Sequence, residues 1–268
     1  MRRLTTILFL LSLSASILFA QTYEPLEMKS GGMLGARNLR FILNWAYLEN
    51  DIGDTSVFDF GLDFGISPAV ELQNRISYLS SGDSDYEWEE WTELLKFKLG
   101  KVLNGPAYAL GTGLRIPVHK YESLGLIAGL YISSAIKDID FDFNLGFEPI
   151  YLTYADLGGG MKVRPNSLLN INLRLGYKFT PFLKLAGGFE LNQLLEGKRK
   201  IKENDHETTE TISGGSAWNF IFGARVKPID YPIVVDCSLS LGASKRSPYD
   251  WRIKIGVQLQ PQSPNAEW

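Results

Sequence analysis

One cysteine, Cys237, stands in 268 residues, so no intrachain disulfide can hold this chain together. Histidine is almost as scarce, with His119 and His206 the only two, which leaves little material for a zinc site or a histidine-based triad. There is no surplus of basic charge either. The chain carries 27 Lys and Arg against 30 Asp and Glu, a balance that argues against a nucleic-acid partner. Long apolar runs are also missing. A membrane-spanning helix needs about 20 consecutive apolar residues, and only the N-terminus comes near that.

That N-terminus reads MRRLTTILFLLSLSASILFAQ. Arg2 and Arg3 form a basic start, Ile7 to Phe19 an apolar stretch, and Ala20 a small residue before Gln21. Basic, apolar, small is the order of a secretory signal peptide, expected here over residues 1–20. No cysteine follows the apolar stretch, so a lipid anchor is not expected. Loss of the two arginines would leave 25 basic residues and a net charge of −5. An exported chain without disulfides needs another source of order, such as a large core or a closed hydrogen-bonded sheet.

What the sequence has in quantity is alternation. In SVFDFGLDFGIS (56–67), Phe58, Phe60, Leu62, Phe64 and Ile66 share one parity, and Asp59, Gly61, Asp63 and Gly65 the other. Successive strand side chains point to opposite faces, so this is a ribbon with one greasy and one polar side. The pattern recurs at 39–47, 70–78, 91–99, 108–116, 141–147, 169–177, 183–191, 218–226, 235–241 and 251–259. A weaker repeat covers Leu124 to Ile136, where Ile127 and Tyr131 put bulk on the polar parity. Together these predict about twelve strands. Parity breaks at Leu94-Leu95 and at Pro149 are the expected sites of β-bulges.

The connections alternate in length. Short ones fall at Ser67-Pro68, Asn104 to Pro106, Lys137 to Asp140, Thr180-Pro181 and Lys227 to Pro232. Long polar ones fall at Glu49 to Thr55, Ser81 to Glu90, Val118 to Ser123, Ala155 to Asn166, Glu196 to Gly215 and Ala243 to Asp250. Aromatic residues gather at the strand ends: Trp45, Tyr47, Tyr78, Trp91, Trp218 and Trp251 by the long loops, Tyr108, Phe141 and Tyr177 by the short turns. Tight turns at one rim, long loops at the other and aromatic girdles at both are the layout of an outer-membrane barrel. The predicted fold is therefore all-β: a closed antiparallel up-and-down transmembrane β-barrel of about twelve strands over 38–260. Residues 21–37 are expected to be a periplasmic segment and 261–268 a C-terminal tail.

On these patterns the chain resembles the bacterial outer-membrane β-barrel proteins, porin-like or transporter-like. Its size and strand count also resemble the transporter barrels linked to phenol degradation. Lys254-Ile-Gly256-Val-Gln-Leu259 is similar to the last-strand signal read by the barrel-assembly machinery, although Pro261 stands where a second hydrophobic residue is usual. The resemblance implies a Gram-negative outer-membrane location, with lipids, that machinery and small solutes as partners.

If the greasy parity faces lipid, the polar parity lines a lumen. Its acids are Asp59, Asp63, Glu71, Asp142, Glu148, Glu190 and Asp236. Its bases are Arg40, Arg75, Lys96, Lys98, Arg115, Arg174, Lys178, Lys184, Arg225, Arg252 and Lys254, a surplus of four positive charges. Arg40 and Arg75 are expected on either side of Asp59 and Asp63 in an ion-pair ladder, with Arg252 and Lys254 beside Arg40 where the barrel closes. This pattern fits a narrow pore or transporter for small hydrophilic or anionic solutes. The alternatives are a plugged structural barrel whose loops adhere or contact lipopolysaccharide, and an outer-membrane enzyme. Neither histidine sits on a strand with a serine two positions away, so no catalytic set is expected, and neither metal nor cofactor. The acidic stretch GDSDYEWEEW (82–91) lacks the offsets of a calcium loop, and Leu157-Gly-Gly-Gly160 lacks the ending of a phosphate loop.

Overall fold

The computed structural model describes residues 38–259, apart from 51–52, 82–86, 102–105, 118–122, 159, 204–205, 228–232, 245–246 and 248. The expected signal peptide, the segment 21–37, the expected C-terminal tail and His119 lie outside the described residues. Among these, sixteen strands form two sheets. Twelve of them close a barrel: β1 (Leu39–Asn50), β2 (Gly53–Ser67), β3 (Val70–Ser81), β4 (Glu87–Lys101), β5 (Ala107–Pro117), β6 (Gly125–Ile136), β7 (Ile139–Tyr151), β10 (Leu168–Lys178), β11 (Leu183–Leu194), β14 (Gly215–Val226), β15 (Ile233–Gly242) and β16 (Trp251–Leu259). Each pairs antiparallel with its neighbours in chain order, and β1 closes the ring on β16, Phe41 opposite Leu259 and Glu49 opposite Trp251.

Closure satisfies the backbone polar groups that lipid cannot. It also fixes which side is which. On β2, Phe60 is 47% exposed while Asp63 is 0% exposed. The same holds around the ring: Phe41, Leu110, Leu173, Phe220 and Ile255 stand outward, while Asn44, Lys96, Asn172, Asn219 and Lys254 are buried inward. Apolar out and polar in is the order a barrel takes when lipid is its outer solvent. The barrel strands run from 9 to 15 residues, long enough to cross a bilayer at a tilt. Outside, the Tyr47 ring meets Trp251 at 5.5 Å across the closing seam. Tyr177 lies exposed at the short-turn rim.

The bulge predicted at Pro149 is present: between Leu126 and Ala128 on β6, the β7 partners jump from Ile150 to Phe147. No bulge occurs at Leu94-Leu95. Register there is continuous, and Leu94 simply points inward, buried, while Leu95 points to lipid. The bulges of β4 sit instead opposite Ser77-Tyr78 and beside Lys98. On the inner wall, Tyr131 explains two glycines. A Cβ on Gly111 or on Gly129 would come within 2.7 Å of the Tyr131 ring or hydroxyl, so the ring lies flat on bare backbone.

The expected long loop Glu49 to Thr55 is mostly the paired ends of β1 and β2, and two longer stretches predicted as loops, Ala155 to Asn166 and Glu196 to Gly215, hold four further strands. Ala155–Gly158 (β8), Met161–Arg164 (β9), Gly197–Glu203 (β12) and His206–Ile212 (β13) form a separate four-stranded sheet in the order β13-β12-β9-β8. These strands have no greasy parity, because water bathes much of them, so the alternation that betrays a membrane strand is absent. Gly160, at φ 82°, makes the β8–β9 turn. The Asn166 side chain ties this sheet to the rim by donating to the carbonyls of Leu195, at 2.6 Å, and Ser213, at 3.2 Å.

Candidate lumenal site

The strand directions divide the lumen into halves. Strands β1, β3, β5, β7, β11 and β15 begin at the short-turn rim, and their partners end there. The short-turn half holds three groups of ion pairs. In the first, Asp63 accepts from Arg40 Nε at 2.7 Å and from Arg75 Nη2 at 3.2 Å, so one carboxylate is shared by two guanidiniums. Glu71 lies 3.6 Å from Arg40, takes a 2.7 Å bond from Gln73, and faces Lys96 in register. In the second, Arg174 bridges Asp142 and Asp140, the latter at 2.8 Å; Lys184 also pairs with Asp140, and Ser133 donates to Asp142. In the third, Arg225 holds Asp236 through two bonds of 2.6 and 3.0 Å, and Gln258 adds a third at 2.8 Å.

The long-loop half is built differently. Arg115 donates to the Tyr151 hydroxyl and sits 5.4 Å from that ring's centroid. Arg252 lies 4.5 Å over the Tyr249 ring and reaches the Ser240 hydroxyl at 3.4 Å. Tyr249, from the β15–β16 loop, is 0% exposed and packs with Ala46, Leu48 and Val57 inside the mouth. Cations over the faces of aromatic rings are attracted by the ring quadrupole without losing their net charge.

The long-loop half also holds a wall of carboxamides on β10, β11 and β14. Asn170 donates to Asn192 at 2.6 Å and to Glu190 at 3.4 Å; Asn219 donates to Glu190 at 3.1 Å, and Asn172 donates to Asn170. Polar parity marked these positions as inward, but nothing in the sequence marks them as a cluster. Their meeting depends on register.

Most of the residues predicted to line the lumen point inward and are buried: Asp59, Asp63, Glu71, Lys96, Arg115, Asp142, Arg174, Glu190, Arg252 and Lys254, with Arg40, Arg75 and Arg225 partly so. Lys98, in register with the inward Ala109, is exposed at the short-turn end next to the β4 bulge, and Lys178 is exposed at the same rim. The side chain of Glu148 lies outside the described residues. Two pairings also differ from expectation. Both Arg40 and Arg75 converge on Asp63, while Asp59, two pleat repeats higher, accepts a 2.7 Å bond from Ser77. Arg252 and Lys254 do not meet Arg40. Antiparallel closure sets Arg252 opposite Leu48 and Lys254 opposite Ala46, far up β1 from Arg40. Asp140, read as part of a turn, proved to be a lumenal carboxylate shared by two cations.

A closed barrel with lipid-facing side chains outside and charge inside defines the class: a transmembrane β-barrel of the bacterial outer-membrane type. Solved structures agree at the level of fold. The chain superposes on the COG4313 outer membrane channel from Pseudomonas putida F1 with a TM-score of 0.69 at 12% identity, over 87% of this chain and 98% of that one. It superposes on the NanC porin with a TM-score of 0.55 at 10% identity, over 82% of this chain and 98% of that one. The LpxR barrel from Salmonella typhimurium, 12% identical over 82% of this chain and 99% of that one, reaches a TM-score of only 0.42, too low to carry an argument. No protein-family profile and no curated protein matches the sequence.

Proposed function

We propose that the barrel is a narrow channel for small hydrophilic solutes, with a preference for anions, and that it acts without catalysis. The observation that carries this reading is the inward charge. Among the described residues Arg40, Arg75, Lys96, Arg115, Arg174, Lys184, Arg225, Arg252 and Lys254 face the lumen against Asp59, Asp63, Glu71, Asp140, Asp142, Glu190 and Asp236, nine cations to seven carboxylates. A positive surplus along a low-dielectric wall attracts anions. On the same reading β16, whose outward side is Trp251, Ile253, Ile255, Val257 and Leu259, carries the strand that the assembly machinery would engage.

Recording from refolded protein in planar bilayers under a salt gradient tests this. The expected result is a small unit conductance with a reversal potential on the anion side. A cation-side reversal potential would refute the anion preference. A second reading, a barrel closed at rest, is favoured by the low exposure of the inward polar side chains, with Asp63, Asn192, Asn219 and Ser240 all at 0%. Silence at every voltage would select that reading over the channel.

A further inference from the structure

The four-stranded sheet gathers cations on one face of two adjacent strands. On adjacent rungs of β9 and β12, Lys198 stands directly opposite Arg164 and Lys200 directly opposite Lys162. Cross-strand partners have Cβ atoms about 5 Å apart, and like charges so placed are destabilising. The other face of the same strands shows the ordinary solution. There Arg199 stands opposite Glu210 and pairs with it at 3.7 Å. On β9 and β12 the odd-numbered face thus pairs its charge, while the even-numbered face concentrates it.

The cationic block is organised. The Tyr154 ring has Arg164 at 5.8 Å and Lys200 at 5.3 Å from its centroid, which gathers cations from two strands around one ring. On β13 the neighbours in register are Thr211, beside Lys198, and Thr209, beside Lys200, both exposed hydroxyls. On β8 the neighbour of Lys162 is Asp156. One rung further out, Lys202 faces Glu207 in register. At the Arg164–Lys198 rung the described neighbour is a threonine, so the positive charge is greatest next to the barrel rim. Lys162 and Lys198 are exposed, while the odd-numbered face buries Ala155 and Val163.

We infer that this face is an anion site for a phosphate group, with Arg164, Lys198, Lys200 and Lys162 supplying charge-assisted hydrogen bonds and Thr209 and Thr211 supplying hydroxyls. A phosphate brings several acceptor oxygens and about two negative charges, enough to bridge the like charges of the Arg164–Lys198 rung. The inference rests on the channel reading for its role, as the outer capture step for phosphorylated solutes, but not for its chemistry. The phosphate could belong instead to a lipid headgroup beside the rim.

The test uses full-length protein refolded in a neutral detergent, with inorganic pyrophosphate and a hexose phosphate as soluble probes, and bilayers with or without phosphatidylglycerol as the headgroup probe. The K198E/K200E variant should bind the soluble probes about tenfold more weakly than wild type, since it reverses two of the four cations. Arg199→Glu, a reversal on the opposite face, should change binding by less than about twofold. Saturable pyrophosphate binding with that contrast supports a solute site; phosphatidylglycerol enrichment with the same contrast supports the phosphate site with a lipid source. Equal weakening by Arg199→Glu, or no binding to either probe, overturns the inference. Lys198→Glu alone should raise the melting temperature, because it converts a repulsive rung into an ion pair with Arg164. A purely structural role for Lys198 predicts a fall. Anion-side conductance with no probe binding would leave the channel standing without this site, and binding in a silent barrel would leave the site without the channel.

Discussion

In the short-turn half of the lumen Arg40, Arg75, Arg174 and Arg225 each face an aspartate, whereas in the long-loop half Arg115 and Arg252 lie against tyrosines. The two arrangements hold inward guanidiniums by different means. A shared carboxylate cancels the field and cross-links neighbouring strands, so the short-turn half is a brace. In the long-loop half a ring steadies each guanidinium, and Tyr249 fastens Arg252 to the β15–β16 loop. Register decides which residues serve which arrangement.

The largest effect should come from the brace. Asp63→Ala would leave Arg40 and Arg75 facing each other across a buried position, and removal of one member of such a group costs about 3–5 kcal/mol. Equilibrium unfolding in denaturant would measure it; a loss below about 1 kcal/mol would mean that water, not Asp63, compensates the arginines. Next comes the frame on which both halves depend. Phe60→Arg places a charge on the lipid side of the same strand and should cost about 2–4 kcal/mol in a bilayer. If that variant were as stable as wild type, the inside-out assignment would fail.

Changes at the mouth should be smaller in stability and larger in selectivity. Arg252→Gln should cost about 1–2 kcal/mol through the lost contact with Tyr249 and shift the reversal potential toward neutrality. Raising the salt from 0.1 to 1 M should blunt the anion preference of the wild type as the screening length falls from about 10 to about 3 Å. Asp59→Asn should be mildest. A carboxamide oxygen can still accept from Ser77, so the stability change should stay within about 1 kcal/mol, while selectivity moves slightly further toward anions. An unchanged reversal potential would show that Asp59 does not act on the conducting path.

Alternation and loop length carried most of the barrel. Period-two runs such as 58–66 and 251–259 gave the strands, and lipid outside requires just that pattern. Legibility ended where neither face is greasy. The stretch GKRKIKENDHETTE reads as a charged loop because its strands sit in water, and only the Arg199–Glu210 and Lys202–Glu207 registers hint at pairing. Within the lumen, parity said which side chains point inward but not which of them meet. That depends on the stagger between strands, and an expectation that ignored strand direction put Arg252 and Lys254 beside Arg40 when they belong near the other rim. The carboxamide wall was hidden for the same reason, since Asn170, Asn192 and Asn219 come from three strands and have no shared motif.

The seam between β1 and β16 has a consequence for the birth of the molecule. Phe41, among the earliest barrel residues to be made, hydrogen-bonds its neighbourhood to Leu259, among the last. Until Trp251–Leu259 arrives, the outer edge of β1 has no partner, and an unfinished barrel presents two open edges together with its lipid-facing side chains. Contacts so distant along the chain fold slowly and expose aggregation-prone surface meanwhile. Closure is thus the final act of assembly, and a chain cut short by even one strand would have no ring to close.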